Sequence, residues 1–150
     1  MPTTMPQPYA LRLEMIRAAG YSNQEAISLI ENKDTATLVQ NVNPEVNWGE
    51  FLDYAHQNRV DIRAAIAQGY RFKFITAGGL QSFLRISFGL QAGEDYRFDG
   101  ERFTEIGLSE PDFELLRHRV PEQHWTFVIT KRDEGSGEVR FEIELASAAY

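Results

Sequence analysis

Tyr70 to Leu90 reads YRFKFITAGGLQSFLRISFGL, and the rest of the chain is best read outward from it. The stretch holds four of the ten phenylalanines, three of the fifteen basic residues and no acidic residue. Arg71, Phe72, Lys73 and Phe74 alternate polar and apolar, and Ile75 closes the run. That pattern predicts a short extended segment with one buried face. Thr76 is placed to cap the helix that follows, its hydroxyl accepting from a free amide of the first turn. Leu80, Phe83, Leu84 and Phe88 recur at helical spacing and form one apolar stripe. Gly89 suits the left-handed residue that stops a helix, and Leu90 can fold back on the last turn. Gln81, Ser82, Arg85 and Ser87 fall on the other faces. The stripe makes this helix the expected centre of a core.

The composition bounds the remainder. A chain of 150 residues, 43% hydrophobic and 25% charged, suits a single domain with a real core. A formal net charge of −7 supplies no global basic field for nucleic acid or anionic membrane. The chain has no cysteine, which excludes disulfides and thiolate chemistry. No apolar run approaches the roughly 20 residues of a membrane span. The first residues show neither a basic n-region nor a continuous apolar core, so a cytoplasmic protein is expected.

Residues 1–8 contain three prolines and read as a flexible tail. A helix is expected from Tyr9 to Ala19, with Tyr9, Leu13 and Ile16 inward and Gly20 ending it. Ser22 and Glu25 form a capping box for a second helix that runs to Asn32. Asp34 to Val42 fits a third helix or an extended connector equally well. Asn47 starts a helix over Trp48 to Gln57, and Asp61 is placed to cap another over Ile62 to Gln68. The order small residue, glycine, capped helix in IRAAGYSNQEAISLIE has the look of a helix-turn-helix. Glu25 and Glu31 on its second helix would meet phosphates, which opposes DNA reading there.

Beyond Leu90 the periodicity changes. Tyr96 to Phe98 and Arg102 to Ile106 read as a hairpin around Asp99-Gly100, a dipeptide suited to a type I′ turn. Ser109 caps a helix carrying Phe113, Leu116 and Val120 on one face, ended by Pro121. Trp125, Phe127 and Ile129 share one face of a strand. Val139, Phe141, Ile143 and Leu145 share one face of the next, opposed by Arg140, Glu142 and Glu144. Such alternation predicts an antiparallel sheet with one face in a core. The expected fold is therefore α+β: a helical N-terminal half, then a ββαββ antiparallel-sheet unit packed on the central helix, in an order that also allows a winged helix. One domain over 9–150 is expected, with 9–43 as a helical hairpin able to stand as a semi-independent subdomain. An alternative adds Arg71 to Ile75 to the sheet as a fifth strand.

Chemistry is sparse. His56, His118 and His124 lack the i, i+4 spacing of a metal pair, and no nucleophile elbow, P-loop or zinc-protease motif is present. No catalytic residue, metal or cofactor is expected. Residues 59–90 carry Arg59, Arg63, Arg71, Lys73 and Arg85 against Asp61 alone, so charge is segregated within an acidic chain. With Gln81 these residues are the candidate partner- or nucleic-acid-binding surface, and Arg71, Lys73 and Arg85 are expected around the amino end and flank of the central helix. Thr76, Gly78 and Gly79 are the candidate anion-binding residues, because glycines at a helix start let an anion reach free amides. The leading expectation is a non-enzymatic regulatory protein that works through protein–protein contacts, with itself or another chain, as an adaptor or inhibitor. The alternatives are a nucleic-acid-binding regulator using 59–90, and an anion- or nucleotide-binding protein using 76–79.

Overall fold

The chain divides after Arg71 in the computed structural model, which describes residues 3–146: a first unit Met1–Arg71 and a second unit Phe72–Tyr150. The class is α+β, as the sequence predicts, with seven helices and a four-stranded antiparallel sheet among the described residues. The boundary falls inside the stretch that the sequence places at the centre of one domain. Residues 1–2 of the expected tail and 147–150 at the far end lie outside the described residues.

The first unit is built of short helices whose starts are set by polar side chains. They are β1 (Thr3–Met5), α1 (Gln7–Ala18), α2 (Asn23–Glu31), α3 (Thr35–Asn41), α4 (Trp48–Gln57) and α5 (Arg59–Gln68), followed by β2 (Tyr70–Phe72), where the chain leaves the unit. The Ser22 hydroxyl accepts from the Glu25 amide at 3.1 Å, and the Glu25 carboxylate accepts from the Ser22 amide at 2.9 Å. Hydrogen bonds to the carboxylate from the Ser22 amide, and next from the Ser22 side chain, hold the Glu25 carboxyl below its ordinary pKa. Asp34 accepts from the Thr37 amide at 3.2 Å, which resolves 34–42 in favour of a helix. Asn47 accepts from the Glu50 amide at 3.2 Å.

Three local readings change. From Thr3 onward the expected tail is a strand and the first turn of α1, and Met5 is buried. Asp61 does not cap α5. That helix begins two residues earlier, directly after Asn58, whose side-chain amide donates back to the Tyr54 carbonyl at 2.8 Å. One residue between α4 and α5 leaves no room for a separate capping loop. Finally, Glu14 lies on the inward face of α1 and is only 2% exposed. The Tyr70 hydroxyl donates to its Oε2 at 2.5 Å, and Arg17 donates to its Oε1 at 3.1 Å. A buried carboxylate without such donors would be costly, so this network ties the start of β2 to α1. Leu13, Ile16, Ile30, Leu38, Phe51 and Ile62 of the same unit are buried as well.

The second unit comprises α6 (Ala77–Phe88), β3 (Arg97–Phe98), β4 (Arg102–Ser109), α7 (Glu110–Arg119), β5 (Trp125–Asp133) and β6 (Glu138–Leu145). The strands and α7 form the ββαββ sequence, and the sheet order is β3-β4-β6-β5. On β6, Val139, Phe141 and Ile143 are fully buried while Arg140 is exposed. Phe113 of α7 packs on this face, its ring 4.7 Å from that of Phe141. The α6 stripe behaves as its spacing predicts: Leu80, Phe83 and Leu84 are buried, and Phe83 meets Phe72 at 5.1 Å and Phe88 at 5.5 Å. Gly89 closes the helix in the left-handed conformation with φ +69°, and the Leu90 amide returns to the Leu84 carbonyl at 3.1 Å. The Trp125 indole donates to the Ile75 carbonyl at 2.9 Å, fastening the lead-in to α6 onto β5.

Extended structure before α6 stops at Phe72, so the alternation expected through Ile75 is cut short. Phe74 is 49% exposed although Phe72, two residues earlier, is fully buried. β2 pairs with β1 in a separate two-stranded sheet, which removes it from the four-stranded sheet as a fifth member. The β3–β4 hairpin is also not a two-residue turn. Phe98 pairs with Phe103, residues 99–101 separate the two strands, and of Asp99 and Gly100 only Gly100 has a positive φ, +101°. Asp99 accepts from the amides of Glu101 at 2.9 Å and Arg102 at 2.8 Å, which stabilises the longer loop and lowers the Asp99 pKa. Leu145, expected on the buried face, is 64% exposed where the sheet ends opposite Trp125.

Two substitutions test these cores. Tyr70→Phe removes the hydroxyl donor from buried Glu14 and should cost about 1–3 kcal/mol. Phe141→Ala should cost about 3–5 kcal/mol, because its ring is enclosed by Phe113 and Phe127. Urea titration followed by circular dichroism measures both. An unchanged midpoint for Tyr70→Phe would show that the Glu14 network is not stabilising.

Candidate functional site

The expected cationic surface is divided by the unit boundary. Arg59, Arg63 and Arg71 belong to the first unit, Lys73, Gln81 and Arg85 to the second. Arg59 and Arg63 stand one helical turn apart on α5 and line the same cavity, of about 330 Å³, with His56, Glu31 and Asn32. Arg63 donates through both Nε and Nη2 to Glu31 Oε1, joining α5 to the end of α2. Arg71 is half-buried in β2, whereas Lys73 and Arg85 are exposed and Gln81 is half-buried. Arg85 acts on Tyr96: burial raises the pKa of that phenol, and the guanidinium pulls it the other way.

Thr76 and Gly79 are already committed to each other. The Thr76 hydroxyl accepts from the Gly79 amide at 2.9 Å, and Gly79 is buried. Gly78 is open, since a Cβ there would reach only Thr76 Oγ1 at 4.0 Å. Thus two of the three expected anion-binding residues serve the helix cap. The cap borders a mostly apolar cavity of about 310 Å³ lined by Phe74, Ile75, His124 and Trp125. The Phe74 and His124 rings meet edge to face at 4.8 Å, and His124 Nδ1 is buried with no hydrogen-bond partner.

One surface was not singled out from the sequence. β5 is the outer strand of the sheet and carries Val128 and Ile129, which are 40% and 42% exposed. Beside it, a cavity of about 390 Å³ is lined by Phe113, Arg117, Glu122, Phe127 and Ile129. The phase of the strand follows from two bonds. The Ala146 amide donates to the His124 carbonyl at 2.8 Å, and the Trp125 amide donates to the Pro121 carbonyl at 3.2 Å, away from β6. In an antiparallel ladder residues alternate between facing the neighbour and facing out. His124, Thr126 and Val128 therefore turn their backbone groups to β6, and Phe127 turns its N–H and C=O to the open edge. The alternation of Trp125, Phe127 and Ile129 signals a buried face, and nothing in it marks the strand as an edge.

No three His, Asp or Glu side chains gather as a metal set among the described residues, and no helix there is long and apolar enough to cross a membrane. Compared with models of protein families, with curated proteins and with solved structures, the chain has no match.

The two polar bonds of these sites should differ in weight. Thr76→Ala removes the α6 cap and should cost about 1 kcal/mol. Arg63→Ala breaks an ion pair whose partners are both exposed, and should cost less than about 1 kcal/mol. Denaturant midpoints of the two variants give the order, and the reverse order would refute this ranking.

Proposed function

We propose that this chain is a non-enzymatic protein-binding protein of the regulator or adaptor type, and that it captures an extended segment of its partner along β5. The exposed β5 edge is the observation that carries the reading. Its outward-facing Phe127 amide and carbonyl can extend the ladder, and a cavity of mixed lining lies alongside, with Phe113, Phe127 and Ile129 as its apolar part and Arg117 and Glu122 as its charged part. Natural sheets protect an unused edge with prolines, inward charges or short strands. β5 is nine residues long, has no proline, and keeps its bulge after Ile129 and its cations, Lys131 and Arg132, to the far end. Among the described residues, four of the five large exposed hydrophobic residues, Phe74, Val128, Ile129 and Leu145, belong to the second unit. Edge pairing supplies affinity through main-chain bonds, and the cavity alongside supplies selectivity among the partner's alternate side chains.

Amide exchange and capture from a cell extract test the reading together. In the free protein the Phe127 amide should exchange faster than those of Thr126 and Val128, which pair with β6. The double substitution Val128→Lys with Ile129→Lys should leave the fold intact, because exposed positions typically change stability by about 0.5 kcal/mol. It should also abolish retention of a stoichiometric partner that the unaltered chain retains and that protects Phe127. Equal retention by both proteins would place the contact surface elsewhere.

A further inference from the structure

The cavity on α5 has a chemistry that strand pairing at β5 does not use. Arg59 and Arg63 line it one turn apart, His56 enters from the last turn of α4, and Glu31 and Asn32 close it from the end of α2. Its formal charge is two guanidinium groups against one carboxylate. Arg63 places Nε and Nη2 on a single oxygen of Glu31, while no carboxylate among the described residues pairs with Arg59.

The surrounding backbone agrees with the side chains. Helix C-termini repel anions through their free carbonyls, and here several of those carbonyls accept from the chain that follows. The Asn58 amide donates to Tyr54 and Ala55, and the amides of Asn32, Lys33 and Asp34 donate to Ser28, Ile30 and Leu29. In contrast, the first turn of α5 has no side-chain cap, because the Asn58 side chain is turned back to Tyr54.

We propose that this cavity binds the phosphate group of a small phosphomonoester, gripped by the forks of Arg59 and Arg63 with His56 as a further donor. Glu31 occupies Arg63 as an internal stand-in, and the arriving phosphate displaces it. Arginine suits the task because its planar set of N–H donors matches two phosphate oxygens at once. A volume of about 330 Å³ accommodates a phosphate with a small sugar, and Ile30 and Ala55 supply an apolar wall. The anion site is thus assigned to α5 and not to the Thr76–Gly79 turn, whose amide is already used by its cap.

Titration calorimetry on the full chain, with ribose 5-phosphate, inorganic phosphate and sulfate as probes, decides the matter. Ribose 5-phosphate should bind at one site per chain and more tightly than either inorganic anion. Arg59→Ala should weaken it about tenfold or more, as loss of a charge-assisted pair requires. Glu31→Gln should strengthen it several-fold, a gain that a purely structural Glu31–Arg63 clamp would not produce. No saturable binding of ribose 5-phosphate would overturn the proposal. So would equal weak binding of all three probes, the mark of an adventitious ion only, or an affinity unchanged in Arg59→Ala. A Glu31→Gln chain that binds no better would remove the stand-in role. Circular dichroism of each variant separates lost binding from lost fold.

Discussion

The register of β6 is the constraint on which the second unit depends. It is bonded to β4 on one side and β5 on the other, and its three buried residues are spaced by two. A slip of one residue would exchange Val139, Phe141 and Ile143 for Arg140, Glu142 and Glu144, an exchange no core tolerates. The opposite face reinforces the same register. Arg102 of β4 reaches Glu142 at 2.6 Å and Glu144 at 3.6 Å across the ladder. Once β6 is fixed, Phe113 has one place to pack, and that places α7 on the face formed by Phe127 and Phe141. α7 covers only part of that face. Ile129, beyond it, keeps an exposed surface, and this is how a packing constraint leaves an uncovered edge.

The first unit obeys a different rule. Its helices are seven to twelve residues long, too short to be stable by themselves, so their stability comes from caps and tertiary packing. Polar side chains do much of the joining. Glu14 holds Tyr70 and Arg17, Trp48 donates its indole N–H to the Asn43 carbonyl, and Arg63 bridges to Glu31. The last of these bonds couples the packing of α2 and α5 to the occupancy of Arg63. A ligand that takes over Arg63 therefore competes with a helix–helix contact, not merely with water.

The two proposed surfaces use opposite physics. The β5 edge offers main-chain bonds and apolar area, insensitive to salt. The α5 cavity offers charge, and its occupancy should weaken as ionic strength rises. Each lies within one unit, so neither requires a contribution from the other. An acidic chain with one segment, 59–90, of net positive charge is consistent with both, since a local cationic cavity needs no global basic field.

What the sequence determined by itself was local and periodic. The capping box at Ser22, the Thr76 cap, the left-handed Gly89 and the alternation of β6 depend on neighbours a few residues away, and all stand where those neighbours put them. The α+β class follows from the same periods. What only the tertiary structure decided was long-range. Burial of Glu14 depends on Tyr70, fifty-six residues later, and the carboxylate has no apolar periodicity to announce it. The division after Arg71 cuts through a stretch whose local pattern is continuous. The shared cavity of Arg59 and Arg63 needs α2 and α4 beside α5, although their i, i+4 spacing alone puts them on one face. β5 became an edge because β6 took the place between it and β4, and strand order is a property of the assembled sheet that no single strand encodes.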